Sequence, residues 1–262
     1  MEGKFQYPIE QRLWFACVLT MIAGSLDAYS FLFHGGVFAG LQTGNLILLG
    51  IHLGQHSLDA VIRHTLSILA FIIGTIVIRS VQLRFLIRLK PDESPQQTFL
   101  RNKRQQQLHL IVLAYEITMI ILSIFLDMLG NTEIAAMFLS MAVAGELEEF
   151  RKVRGQTFTP LTMTSDLRAL AEAVFDESVS HATTARQNAI QTFALMFCFI
   201  AGATLVGYTQ TELSNKTILI PLVILTILAL FLLVNYVKYF KKKHRLCKDE
   251  KDDQGEAEYH GE

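Results

Sequence analysis

Apolar residues gather along this chain in long blocks. Leu13–Leu26, Thr65–Ile78 and Ile218–Val234 hold no Asp, Glu, Lys or Arg, and Leu110–Leu126 holds only Glu116. With its flanks, each block reaches the roughly 20 residues that a membrane-spanning helix needs. The pattern predicts helices over about Arg12–Phe33, Val61–Leu89, Leu108–Leu129, Ile134–Phe150, Arg186–Tyr208 and Thr217–Phe240. Between the first two lies Val37–Gly54, apolar but broken by Gln42-Thr43-Gly44-Asn45, Gly50 and Gly54. Gly155–Ser180 is its polar, amphipathic counterpart, carrying Asp166, Arg168, Glu172, Asp176 and Glu177. Trp14 and Phe15 stand where interfacial anchors are expected. Met1–Gln11 reads as a polar leader, Lys90–Gln107 as a basic soluble loop, and Lys241–Glu262 as a charged, disordered tail.

The chain also repeats itself. Ala23-Gly24-Ser25-Leu26-Asp27-Ala28-Tyr29 returns as Ala144-Gly145-Glu146-Leu147-Glu148-Glu149-Phe150, 121 positions on. The same offset carries Thr43-Gly44-Asn45-Leu46 onto Thr164-Ser165-Asp166-Leu167 without a gap. Each copy has an acidic residue in an apolar helix and a small-polar cluster at a fixed distance after it. Duplicated halves with polar groups inside apolar helices are a transporter architecture. The repeats occupy 12–129 and 133–240.

Charge sets the topology. Lys and Arg favour the cytoplasmic side of short loops. The rule places 79–107, Arg151-Lys152-Arg154 and Lys241-Lys242-Lys243 inside. If every apolar or amphipathic segment crossed, the triple lysine would emerge outside. If Val37–Gly54 and its counterpart do not cross, six spans remain and both termini are cytoplasmic. A competing count of seven spans puts the N-terminus outside, but it treats equivalent segments differently. Asp166, Arg168 and Glu172 also oppose full lipid exposure, since a charge at the bilayer centre costs roughly 2.5–3.5 kcal/mol. With three crossings in each half, the copies are inverted. The fold expected is an all-α integral membrane protein with six transmembrane helices, two re-entrant or amphipathic helices and an inverted internal repeat.

Composition agrees: 51% of residues are hydrophobic, 18% charged, and mean hydropathy is +0.35. Net charge is −1, so nothing points to nucleic acid. Cys17, Cys198 and Cys247 are scattered and suggest neither a metal site nor a disulfide framework. His52 and His56 have i, i+4 spacing but no third ligand in reach, so no metal or cofactor is expected.

Asp27 is the first candidate for chemistry, as a proton or cation site or, alternatively, a helix-capping carboxylate near the outer interface. Thr43, Gly44 and Asn45 offer an unwound backbone and polar groups for a solute, or else merely close helix packing. Glu148 aligns with Asp27, and Thr164, Ser165 and Asp166 align with the cluster. Glu146, Glu148 and Glu149 also read as an interfacial face paired with Arg151, Lys152 and Arg154. Arg168 is a candidate partner for Asp166. Glu116, alone in an apolar helix, must find a partner or hold a proton. No Walker loop, HExxH, GxGxxG or Ser-His-Asp order is present, so no enzyme is expected.

The first copy, Ala23-Gly24 with Asp27, then Phe38, Thr43-Gly44-Asn45 and the apolar Leu46–Leu49, resembles the YoaK-like family of bacterial multi-pass membrane proteins. The resemblance implies about six spans and a bacterial inner-membrane location, and it supplies no substrate. The second half departs from that pattern at Glu146, Glu148 and Glu149, and at Thr164-Ser165-Asp166, which lacks the glycine.

The leading functional expectation is a secondary transporter of a small solute or ion, with proton coupling an option. Its partners would be the lipid bilayer and that solute, with homo-oligomerisation left open. The alternative is a non-transporting scaffold or receptor subunit using the 90–107 loop and the tail. A lipid-modifying enzyme is weaker still, because no nucleophile–base pair supports it.

Overall fold

A computed structural model describes residues 8–86, 95–153, 156–157, 163–180 and 183–238. The tail at 241–262 and residues 87–94 lie outside the described residues. The fold is helical: α1 Leu13–Phe33, α2 Gln42–Gly54, α3 Leu58–Leu86, α4 Pro95–Met128, α5 Thr132–Glu149, α6 Met163–Ser180, α7 Thr183–Leu213 and α8, residues 219–238. A one-turn helix at Ile9–Gln11 precedes α1, and a 3-10 turn at Ser214–Ile218 separates α7 from α8. A small antiparallel hairpin pairs Lys152 with Thr157 and Val153 with Gln156.

Local chemistry explains the breaks. Gly35 and Gly36 after α1, and Gly130 after α4, take positive φ angles of 66°, 81° and 80°, which suit glycine at a helix C-terminus. Pro95 opens α4, where a missing N–H costs nothing. The expected loop at 90–107 is therefore corrected from residue 95 onward. The stretch Gln105-Gln106-Gln107 and its neighbours are polar but good helix formers, so the helix continues beyond its apolar block.

Among the described residues, four helical stretches are long and apolar enough to cross a membrane: Leu13–Phe33, Leu58–Phe85, Leu100–Met128 and Arg186–Lys238. The last is 53 residues long and contains the 3-10 turn, so it comprises α7 and α8. Large apolar side chains face outward at helical spacing, among them Ile72, Ile73 and Ile76 on α3, Phe193, Phe197 and Ile200 on α7, and Val223, Ile227 and Leu230 on α8. Polar residues such as Thr20, Ser25, Asp27, Asn45, Ser67, Glu116, Ser140 and Glu146 are buried. Apolar outside and polar inside is the distribution of an integral membrane protein.

Two parallel helix pairs organise the packing. α1 runs alongside α7: Ala16 packs with Leu195, and beyond the other end Tyr29 Oη donates to the carbonyl of Asn215 at 3.2 Å. At their crossing, a Cβ on Gly24 would collide with the Phe199 carbonyl, and one on Gly202 with the Met21 carbonyl. α3 runs alongside α5 in the same manner. Arg63 lies 4.0 Å from Glu133, and Gln82 reaches Glu148 and Glu149. A Cβ on Gly74 would sit 2.9 Å from the Met141 carbonyl, and one on Gly145 3.0 Å from the Tyr115 ring. Small residues let these backbones approach where lipid supplies no hydrophobic drive between helices. The shorter helices add to this frame, α2 packing on α3 and α6 on α7.

Candidate functional site

The site begins at the chain's return into the bundle. After α1, residues 37–41 turn back, with Val37 and Ala39 fully buried. Asp27 Oδ1 accepts the N–H groups of Gly40 at 2.6 Å and Leu41 at 3.3 Å, just ahead of α2. Leu41 is the N-cap residue of α2 and supplies no side-chain cap, so Asp27 fills that role from another helix. Asp27 stands six residues before the end of α1, about 9 Å inside it. α2 therefore starts within the bundle and runs back out to the turn at 55–57, where α3 begins.

Asn45 fastens the same segment. Its Oδ1 accepts the Phe38 N–H at 2.9 Å, and its Nδ2 donates to the Phe38 carbonyl at 2.8 Å, Gln42 Oε1 at 3.0 Å and Ser67 Oγ at 3.2 Å. Ser67 on α3 in turn meets Ser140 on α5 at 2.7 Å, joining the two sequence repeats. His64 Nδ1 lies 3.4 Å from Asn45 Oδ1, and its ring stacks on His52. A Cβ on Gly44 would sit 2.9 Å from the Phe38 ring and would force that ring to shift. Thr43 is exposed on the first turn of α2.

Deeper in, Glu116 on α4 and Glu146 on α5 are both 0% exposed and close enough to act on each other's charge. Asp27 also acts on Glu146. Apart from each other, Glu116 and Glu146 have no hydrogen-bond partner for any of their four oxygens, and Asp27 Oδ2 has none either.

Polar clusters close both ends of this seam. At one end, His34 Nε2 lies 3.1 Å from Asp127 Oδ1, and Tyr29 Oη donates to Asp127 Oδ2 at 3.3 Å. At the other, His109 Nε2 lies 3.1 Å from Glu149 Oε1 and its Nδ1 lies 3.6 Å from Glu10. Glu149 also accepts from Gln82 at 2.8 Å and Gln105 at 3.3 Å. These contacts also fix direction. α1 begins beside His109 and ends beside Asp127, so α1 and α4 run the same way, and α5, folded back on α4, runs against both.

A family described as protein of unknown function (DUF1275) matches residues 15–231. The chain belongs to the DUF1275 family. That agrees with the YoaK-like resemblance read from Ala23 to Leu49. The match takes in most of both repeats and, within this DUF1275 chain, Asp27, Asn45, Glu116 and Glu146. No curated protein and no solved structure matches the chain.

Of the residues singled out in sequence, Asp27, Thr43, Gly44 and Asn45 come together at the start of α2. Glu116 and Glu146 come together between α4 and α5. Glu148 and Glu149 belong to the polar cluster around His109, where Glu148 lies 3.5 Å from Arg79 and 3.7 Å from Arg151. Thr164 is exposed on the first turn of α6, and the side chains of Ser165 and Asp166 lie outside the described residues. Arg168 pairs with Glu172 at 3.3 Å on an exposed face.

Sequence reasoning missed Ser67, Ser140, His64 and the His34–Asp127–Tyr29 cluster. It also missed the meeting of Glu116 with Glu146, although a signal existed. Both stand roughly four helical turns from Gly130-Asn131, so a tight hairpin sets them opposite each other.

Proposed function

We propose that the protein is a secondary transporter of a small solute, working by alternating access in a bacterial inner membrane. The observation that carries this reading is the start of α2 inside the bundle, held by Asp27 and Asn45 beside unpartnered carboxyls. Interrupted elements within the membrane form the substrate and ion sites of carriers, and here Asp27 Oδ2 is the group left unpartnered beside α2. The reading takes α1, α3, α4, α5, α7 and α8 as six spans, α2 and α6 as re-entrant helices, and both termini as cytoplasmic.

The helix pairing supports an inverted duplication. The sequence repeat equates α1 with α5 and α2 with α6, and chain order then equates α3 with α7. The pair α1–α7 is then the counterpart of α5–α3, so each half lends its first helix to the other. α1 and α5 run in opposite directions, as inverted halves require. The two polar clusters would act as gates: Tyr29, His34 and Asp127 at the outer face, and Glu10, His109 and Glu149 at the inner.

The test is a solute screen by thermal shift on the purified protein, followed by flux in liposomes. A ligand of the native state raises apparent stability. Thr43→Ala, on an exposed position, is expected to lower flux without lowering stability. Folded Thr43→Ala and Asp27→Asn proteins that both match the parent in flux overturn the site assignment.

A scaffold is the second reading, favoured by the extension of α4 through Arg101, Lys103 and Arg104 beyond its apolar block. Deleting Lys248–Glu262 would abolish partner capture by a scaffold and leave the flux of a carrier intact.

A further inference from the structure

We infer that Glu116 and Glu146 together form a proton-binding site, one shared acidic hydrogen held between two carboxyls at the centre of the protein. Its role in driving flux rests on the carrier reading above; its occupancy does not.

The geometry excludes two free carboxylates. Both side chains are fully buried, meet across the α4–α5 hairpin, and have no hydrogen-bond partner other than each other. Among the described residues, no ion pair reaches either one. The charged groups on the packed helices are engaged elsewhere or point outward. On α3, Arg63 lies near Glu133, His64 faces Asn45, Arg79 faces Glu148 and Arg84 is exposed. On α4, His109 serves Glu149 and Glu10, and Asp127 serves His34. α1 contributes Asp27, which adds negative charge rather than relieving it. The nearby Tyr115 hydroxyl is also buried without a partner. Two like charges in such a place cannot both ionise, because burial and repulsion act in the same direction. A divalent metal finds no third ligand grouped with the pair among the described residues. A proton satisfies both carboxyls at once, converting repulsion into a short charge-assisted hydrogen bond.

Asp27 differs in kind. One of its oxygens accepts two backbone N–H groups, so it is tied to the start of α2 and not to another carboxyl. It is placed to sense the proton through Glu146 and to pass that state to the start of α2. Loading and unloading of the pair would thus change the charge felt by the re-entrant helix.

The test is infrared difference spectroscopy on the full-length protein in lipid vesicles at neutral pH. The parent is expected to show the carbonyl stretch of a protonated carboxyl, shifting in D2O. The Glu116→Gln/Glu146→Gln double variant is expected to lose that band, because two amides keep the shape and hold no acid. A parent spectrum without the band overturns the inference, and so does a band that persists at full height in the double variant. The first outcome needs no variant, so a misfolded double variant does not shelter the idea. A band that appears only on removing sodium overturns it in favour of a sodium ion between the same carboxyls. If the band behaves as expected and no solute ever moves, the carrier reading fails and the proton site stands.

Discussion

Asn45→Ala isolates the interaction that holds the segment leading into α2. The substitution removes the acceptor of the Phe38 N–H and the donor to the Phe38 carbonyl, Gln42 Oε1 and Ser67 Oγ. The Phe38 carbonyl keeps a hydrogen bond from Ser67 Oγ at 3.2 Å, so it is not orphaned. The partly buried Phe38 N–H is left without its partner, at a cost of about 1–3 kcal/mol. The side-chain bonds to Gln42 on the same helix and to Ser67 on α3 contribute about 0.6 kcal/mol each, the average size of a side-chain bond in a membrane protein. The sum is about 2–4 kcal/mol. For a chain of this size one kcal/mol moves Tm by about 2–4 °C, so a fall of roughly 5–15 °C is expected. Thermal unfolding in detergent reads it through Trp14, the single tryptophan, whose ring packs edge-on against Phe231 at 5.3 Å. Gln42→Ala is the companion variant. It leaves Phe38 anchored and should cost less than about 1 kcal/mol. A Tm for Asn45→Ala within a degree or so of the parent, or a larger fall for Gln42→Ala, refutes the assignment of Asn45 as the anchor.

Three further outcomes are expected. Gly202→Leu should abolish the folded, monodisperse peak in size-exclusion chromatography, because any side chain there meets the Met21 backbone, whereas Gly207→Ala, with open space around it, should elute like the parent. Copper-phenanthroline oxidation should link Cys17 to Cys198, whose thiols face each other across α1 and α7, and peptide mapping that finds both free would contradict the α1–α7 pairing. Asp127→Ala should strip His34 of its buried partner and loosen that end of the bundle, seen as faster diethyl pyrocarbonate modification of His34. An unchanged rate would remove the cluster from the list of gates.

Much of the fold was written in local pattern. The apolar blocks located α1, α3, α4, α7 and α8 to within a few residues at most ends, because lipid selects helices by length and composition alone. The main misreading, 95–107 as loop, arose because polarity marks exit from the membrane and not the end of a helix. The offset of 121 aligned Gln42 with Met163, the two residues that begin α2 and α6. The site was only half visible. Asp27 and Asn45 stood out as polar residues among apolar ones, yet what they bind is backbone at residues 38–41. Glu148 looked like the second acid of a symmetric pair, and the structure sets Glu146 there instead, because Glu148 lies one half-turn further round the helix, toward Arg79.

The sequence by itself determined which segments are helical and that they suit a bilayer. These properties depend on neighbours along the chain and on the solvent around it. Only the tertiary structure decided that α1 pairs with α7 and α3 with α5, that Asp27 caps a helix thirteen residues away, and that Glu116 meets Glu146 unpartnered. Those outcomes depend on where glycines let two backbones touch and on how each helix is rotated about its axis. Side chains far apart in the chain settle both together, and no single stretch of sequence contains that information.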